Sequence, residues 1–174
     1  MSNEVFPFID SLYKSAPFRI GVGHSLGGTF ILNSIIDNPK LFNGYIAFSP
    51  NLQIDDEEIV IKIKRNILQA KQTNKFIYTT IGTNGNVDAS FLPSLKKLDT
   101  IMQKHSSLNF NWNFLIYEGF NHATIPLETI HNGLIKLAKK WKVSKEEKKA
   151  IILSESPLDG FNNFFISLSK WTGY

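Results

Sequence analysis

Cysteine is absent from the 174 residues, which excludes disulfide staples, thiol nucleophiles and thiolate metal sites together. Its absence leaves the compartment open between cytoplasm and periplasm. No apolar run approaches the roughly 18 residues that a membrane-spanning helix needs. The opening MSNEVFPFID has neither the basic n-region nor the apolar core of a signal peptide. The chain as given therefore reads as soluble, with no membrane partner. There is no internal repeat and no proline-rich or serine-rich linker. H-E-x-x-H is missing, the His122 to His131 interval fits no common ligand pair on one helix face, and no glycine-rich dinucleotide or phosphate loop follows a strand-like segment. Neither a metal nor a cofactor is implied.

What remains is the composition of an ordinary globular chain, 43% hydrophobic and 20% charged. The net charge of +4 arises from 19 Lys plus Arg against 15 Asp plus Glu. Much of the excess sits in KLAKKWKVSKEEKKA, near residues 136 to 149, where lysines alternate with apolar residues and two glutamates as on a solvated helix face. A basic run of that kind is no nucleic-acid footprint.

Apolar spacing along the chain alternates between helix and strand. Residues 4 to 14 carry Val5, Phe8, Ile9, Leu12 and Tyr13 at helical intervals, and 19 to 23 read as a buried strand. Residues 27 to 38 read as a helix, 45 to 48 as a strand, 55 to 72 as a charged helix opened by Asp55, Asp56, Glu57 and Glu58, and 75 to 81 as a strand. A helix is expected over 89 to 104, a strand over 111 to 117, a helix from about Pro126 to Trp141, and one or two more beyond Lys145. Strand-length apolar runs alternating with helices predict an α/β fold with a mostly parallel sheet and helices on both faces.

Chemistry concentrates at Gly23-His24-Ser25-Leu26-Gly27, a G-x-S-x-G placed between a strand and a helix. Such a turn holds the serine in a strained conformation with its hydroxyl at the C-terminal edge of the sheet. Gly23 and Gly27 are expected to leave room for strand and helix, and the Leu26 N–H to face a developing oxyanion. The bland alternative is a serine capping a helix after a glycine-rich turn. A serine nucleophile needs a base. Of the four histidines, His24 adjoins the nucleophile but is expected to leave the tight turn in another direction. His105 and His131 fall in helices. His122 alone lies in a loop directly after the last strand. For the third group, Asp88 is the carboxylate of the loop after residues 75 to 81, although it is equally well placed to cap the next helix. Glu118 is the fallback, and a dyad without an acid is a further option.

With these residues in place, the sequence resembles the esterase family of α/β-hydrolases that includes siderophore (enterochelin-type) esterases, esterase D-like enzymes and feruloyl esterases. The resemblance runs from about Val5 to Leu137 and rests on four pieces in order: FPFIDSLYKSAPFRIGVGHSLGGTF, LFNGYIAFSPNL, YTTIGTNGN and YEGFNHATIPLETIHNGL. It implies an α/β-hydrolase fold and a serine carboxylic-ester hydrolase acting on a small-molecule ester, with Ser25 as nucleophile, His122 as base and Asp88 as acid. Family members commonly carry paired tryptophans after the Ser-Pro element, where this chain has Gln53 and Ile54.

The family's first four or so strands, which supply the second oxyanion donor, normally precede the helix at Glu4 to Lys14, so the chain reads as the C-terminal part of a hydrolase domain over 1 to 142. Residues 143 to 174 read as a helical extension that breaks off. An unpaired first strand would favour aggregation or a homo-oligomer, and a missing oxyanion donor would lower turnover by about 10² to 10³. Two other roles stay open: a non-catalytic binding or assembly module, and a thioesterase or acyltransferase using the same acyl-enzyme step.

Overall fold

The computed structural model describes residues 1–66, 75–105 and 110–172. Helix α1 (Val5–Leu12) leads to strand β1 (Ile20–His24), helix α2 (Leu26–Asp37), strand β2 (Gly44–Phe48) and helix α3 (Ile54–Asn66). Strand β3 (Lys75–Asn84), helix α4 (Asn86–Lys104), strand β4 (Phe110–Asn121) and helix α5 (Ile125–Ala138) follow. A 3₁₀ turn over Lys139–Trp141 then precedes helices α6 (Lys145–Ile152) and α7 (Pro157–Thr172). The expected helix over 55 to 72 is observed to Asn66; its remaining residues lie outside those described.

The four strands among the described residues are all parallel, in the order β1-β2-β3-β4. Every residue of β2 is buried, and the alternation of its side chains explains why an unbroken apolar run is required. Tyr45 and Ala47, with Ile77 and Ile81 of β3, pack beneath Ile31, Leu32 and Ile35 of α2, Ile59 and Ile63 of α3, and Leu95 and Leu98 of α4. Ile46 and Phe48, with Phe76 and Tyr78, face the other way onto Ile125, Ile130 and Leu137 of α5. The sheet thus has helices on both faces, the arrangement expected of fully apolar parallel strands. α7 joins the second face through Trp171, whose ring meets Phe18 edge-on at 5.0 Å. No helix among the described residues is long and apolar enough to cross a membrane.

The acidic cluster at the start of α3 does not form the regular helix N-terminus expected of it. Asp55, Asp56 and Glu57 take positive φ values of 50°, 52° and 63°, so regular helix begins only after them. Glu57 is turned toward α4, where its carboxylate accepts from Ser94 Oγ at 2.6 Å and Lys97 Nζ at 2.7 Å. Those two bonds from a neighbouring helix replace the dipole contact that an acidic first turn would make.

A buried hydroxyl pair ties α5 to β3. Thr129 Oγ1 donates to the Ile125 carbonyl at 3.0 Å, so the 2.5 Å contact between Thr80 Oγ1 and Thr129 Oγ1 has Thr80 as its donor. Both residues are fully buried. Thr129→Val therefore strands the Thr80 hydroxyl and is expected to cost about 1–3 kcal/mol. Thr80→Val leaves Thr129 bonded to Ile125 and should cost clearly less. Urea titrations of the two variants check the asymmetry; equal losses would contradict the assigned donor direction.

Candidate active site

Because the sheet is parallel, the residues that follow its strands meet at one edge. Ser25 follows β1, Asp88 lies in the first turn of α4 after β3, and His122 follows β4. Outer strands of a four-stranded sheet are about 14 Å apart at roughly 4.8 Å per pairing, so a residue after β4 has to lean over two strands to approach β1. The rings show that it does: the centroid of His122 lies 4.3 Å from that of His24, the residue before Ser25.

Ser25 has φ 53° and ψ −120°, a conformation disfavoured for a side chain with a Cβ and costing on the order of 1–3 kcal/mol. The turn is held from both sides. Ser25 N–H donates to the Phe48 carbonyl at 3.0 Å, and the Ser25 carbonyl accepts from Thr29 N–H at 3.0 Å. The glycine roles differ from the expectation in one respect. A Cβ at Gly23 would sit 2.3 Å from the Gly27 carbonyl oxygen, and one at Gly28 would sit 3.1 Å from both Gly23 O and Pro50 Cβ, whereas a Cβ at Gly27 meets nothing within 4 Å. Gly23 and Gly28 make the close approach of strand and helix possible; Gly27 does not, because its α-carbon faces outward. The Leu26 N–H opens the first turn of α2, where amide protons have no partner within the helix.

Asp88 is fully buried, and its Oδ1 lies 2.9 Å from His122 Nδ1. Its Oδ2 has no hydrogen-bond partner among the described residues. The capping alternative does not hold: α4 begins at Asn86, its N-cap is Gly85 at φ 93°, and no side chain caps it. Nor is Glu118 the carboxylate beside the ring, since it stands exposed on β4. Gly82 makes this arrangement possible, for a Cβ there would be 2.3 Å from the Phe120 carbonyl oxygen and 2.7 Å from Asp88 Oδ2.

Strand β4 runs four residues past its expected end at Tyr117, to Asn121. The extension is held by side chains that periodicity does not reveal: Thr83 Oγ1 accepts the Gly119 N–H at 3.1 Å, and Asn84 Nδ2 donates to the Gly119 carbonyl at 3.1 Å. Asn121 Oδ1 then accepts the N–H groups of Ala123 at 2.9 Å and Thr124 at 3.1 Å. That turn carries His122 off the strand and starts α5. His105 caps the C-terminus of α4 and His131 is exposed on α5.

His24 is the residue set aside at the sequence level that the structure returns to the site. Its ring stacks on Phe48 at 5.2 Å and meets His122, and Phe91 meets His122 edge-on at 5.7 Å. Desolvation by burial, and then the nearby His122, hold its pKa below the ordinary histidine value. The one available signal was its adjacency to Ser25. A groove of about 640 Å³ opens beside the elbow, with Leu26, Phe30, Ile54 and Ile59 as its apolar wall and Asp55, Glu58, Lys62 and Arg65 around it.

Four parallel strands, helices on both faces and a strained serine between strand and helix define an α/β-hydrolase fold. The sequence pattern of the family described as Putative esterase matches residues 1–124, and the chain belongs to that family. Among solved structures it is similar to an IroE-like serine hydrolase from Shewanella oneidensis, with TM-score 0.78 and 17% identity over 98% of this chain and 52% of that one. The siderophore hydrolase EstB from Aspergillus nidulans aligns with TM-score 0.62 and 19% identity over 76% of this chain and 54% of that one. The BES protein from Bacillus cereus aligns with TM-score 0.63 and 21% identity over 76% and 51%. The chain spans about half the length of each of these structures. No curated protein matches it.

Proposed function

We propose that this chain carries the nucleophile and base of a serine hydrolase that cleaves carboxylic esters of small molecules through an acyl-enzyme. Ser25 Oγ attacks the ester carbonyl carbon as its proton passes to His122 Nε2. Asp88, bonded to Nδ1, holds the tautomer in which Nε2 is the acceptor and stabilises the imidazolium that forms. The tetrahedral oxyanion lies against the Leu26 N–H; one such donor contributes about 10² to 10³ in turnover. Collapse breaks the bond to the alcohol oxygen, which leaves with the proton from His122. Water then repeats the sequence on the acyl-enzyme, releasing the acid and restoring Ser25.

The observation that supports this reading best is the 2.9 Å contact between a fully buried Asp88 and His122 at the strand edge that also bears Ser25. A buried carboxylate is costly unless paired, and here its one partner among the described residues is the imidazole. The groove beside Leu26 offers an apolar wall to one arm of the ester, and Ile54 in that wall stands near the position where tryptophans are expected in relatives. Since one solved relative is named a siderophore hydrolase, siderophore esters are the first substrates to assay.

Fluorophosphonate labelling tests the proposal. A covalent adduct is expected on the peptide containing Ser25, with none in Ser25→Ala. Failure of the folded chain to take the label, or labelling elsewhere, would sink it. Assembly through β1 is a second reading, favoured by its place at the sheet edge among the described residues and by Val22, which is 46% exposed there. A concentration-dependent mass in sedimentation equilibrium would support it.

A further inference from the structure

One titratable ring beside the acid and base has no part in the steps above. His24 ends β1, and its ring stands in a stack. Phe48 of β2 backs it at 5.2 Å with the planes inclined by only 20°. On its other side lies His122, at 4.3 Å and 41°. The Nε2 of His24 is buried and has no hydrogen-bond partner among the described residues, while the ring also makes a hydrogen bond to the backbone of His122. A histidine buried in this way offers its neighbours a flat face and no hydrogen bond from that nitrogen.

We propose that His24 is a positioning residue: its ring, backed by Phe48, fixes the plane of the His122 imidazole, so that the nitrogen not bonded to Asp88 stays aimed at Ser25. The inference rests on the reading of His122 as the base for Ser25. Its physical ground is a shortage of constraints on His122. The ring is tethered at Cβ and held at Nδ1 by Asp88, and coupled side-chain torsions still let it tilt about the line through those two points. Because Nε2 lies off that line, swivelling carries it away from the serine. Two flat groups at different inclinations oppose the motion: His24 at 41° to the imidazole, and Phe91 of α4 at 79°. Misplacement of a reacting group by about 1 Å can cost on the order of 100-fold in rate.

A ring in this place must also stay uncharged, because His122 becomes a cation during acyl transfer. Burial, and then the charge of His122, lower the His24 pKa, while a hydrogen bond to the His122 backbone and the charge of Asp88 act in the opposite direction. Phe48, on the remaining packed side, brings no charge. A lowered pKa means that His24 is neutral at and above the ordinary histidine range and protonates only in more acidic solution. There, a charged His24 would repel the imidazolium that His122 forms during acyl transfer and push it out of line.

The test compares His24→Phe, which keeps a flat ring, with His24→Leu, which fills similar space without one. Fluorophosphonate labelling of Ser25 near pH 7.5 is expected to slow at least tenfold in H24L and to recover to within about threefold of wild type in H24F. In acid, wild type should show a protonation step that H24F lacks. ¹⁵N-resolved proton spectra give a readout independent of chemistry. The Nδ1–H resonance of His122 should be sharp in wild type and H24F, and broadened in H24L whose melting temperature shows it folded. An H24L chain with the wild-type His122 resonance would overturn the proposal, as would one labelled at the wild-type rate. If wild type takes no label, the hydrolase reading fails, and the spectra alone decide whether His24 fixes the ring.

Discussion

Exchanging Asp88 for asparagine is expected to slow acylation of Ser25 by about 10⁴-fold while the chain stays folded. The substitution keeps shape and volume in a site with no exposure, so the loss arises from the hydrogen-bond pattern and the charge. The carboxylate oxygen 2.9 Å from His122 Nδ1 can only accept there, which puts the ring proton on Nδ1 and leaves Nε2 with its lone pair. An asparagine that turns its amide NH₂ toward the ring donates instead. The proton then moves to Nε2, and the group that should take the serine proton no longer can. In triads where the change has been made, the geometry survives and the rate falls by about four orders of magnitude. Loss of the negative charge adds to this, because the imidazolium formed in the transition state loses its buried counter-ion. Labelling rates for wild type and Asp88→Asn across pH, read beside their melting temperatures, check the result. A folded variant labelled within tenfold of wild type would mean that His122 works without an acid, as a dyad.

Asp88 also shows how far the site was legible from the residues alone. Its place in the loop after β3 was readable, but propensity could not separate a catalytic acid from a helix cap, since both stand at a helix start. Backbone geometry removes the cap: Gly85 with φ 93° takes the N-cap position, and a Cβ at Gly82 would lie 2.7 Å from Asp88 Oδ2. The roles proposed for Ser25 and His122 rest on motif and chain order. The contact of His24 with His122 was not legible, because a local view of the turn gives no information about a ring arriving from β4. The alternation of strands and helices was legible because buried parallel strands demand unbroken apolar runs such as Tyr45 to Phe48. What periodicity missed was polar in origin: the tail of β4 held by Thr83 and Asn84, and the left-handed turn at Asp55 to Glu57 drawn toward Ser94 and Lys97.

The two glycines of the G-x-S-x-G motif are expected to behave oppositely when each is changed to alanine. At Gly23 the new carbon would lie 2.3 Å from the oxygen and 2.4 Å from the carbon of the Gly27 carbonyl, and 2.7 Å from Gly28 N. These are backbone atoms in the first turn of α2, so no side chain can swing aside; the helix has to lift from β1. Overpacking of this kind costs about 3 kcal/mol or more, which in a chain of this size lowers the melting temperature by roughly 6–12 °C. It also displaces Ser25, which lies between the two elements, so labelling should fall with stability. At Gly27 the added carbon meets nothing within 4 Å, and alanine favours a helix over glycine by about 0.5–1 kcal/mol. Gly27→Ala should therefore melt at or slightly above the wild-type temperature. If it is more stable yet loses labelling, the open space over Gly27 is where the ester approaches Ser25. If instead both variants are destabilised alike, the close contact between β1 and α2 does not run through Gly23.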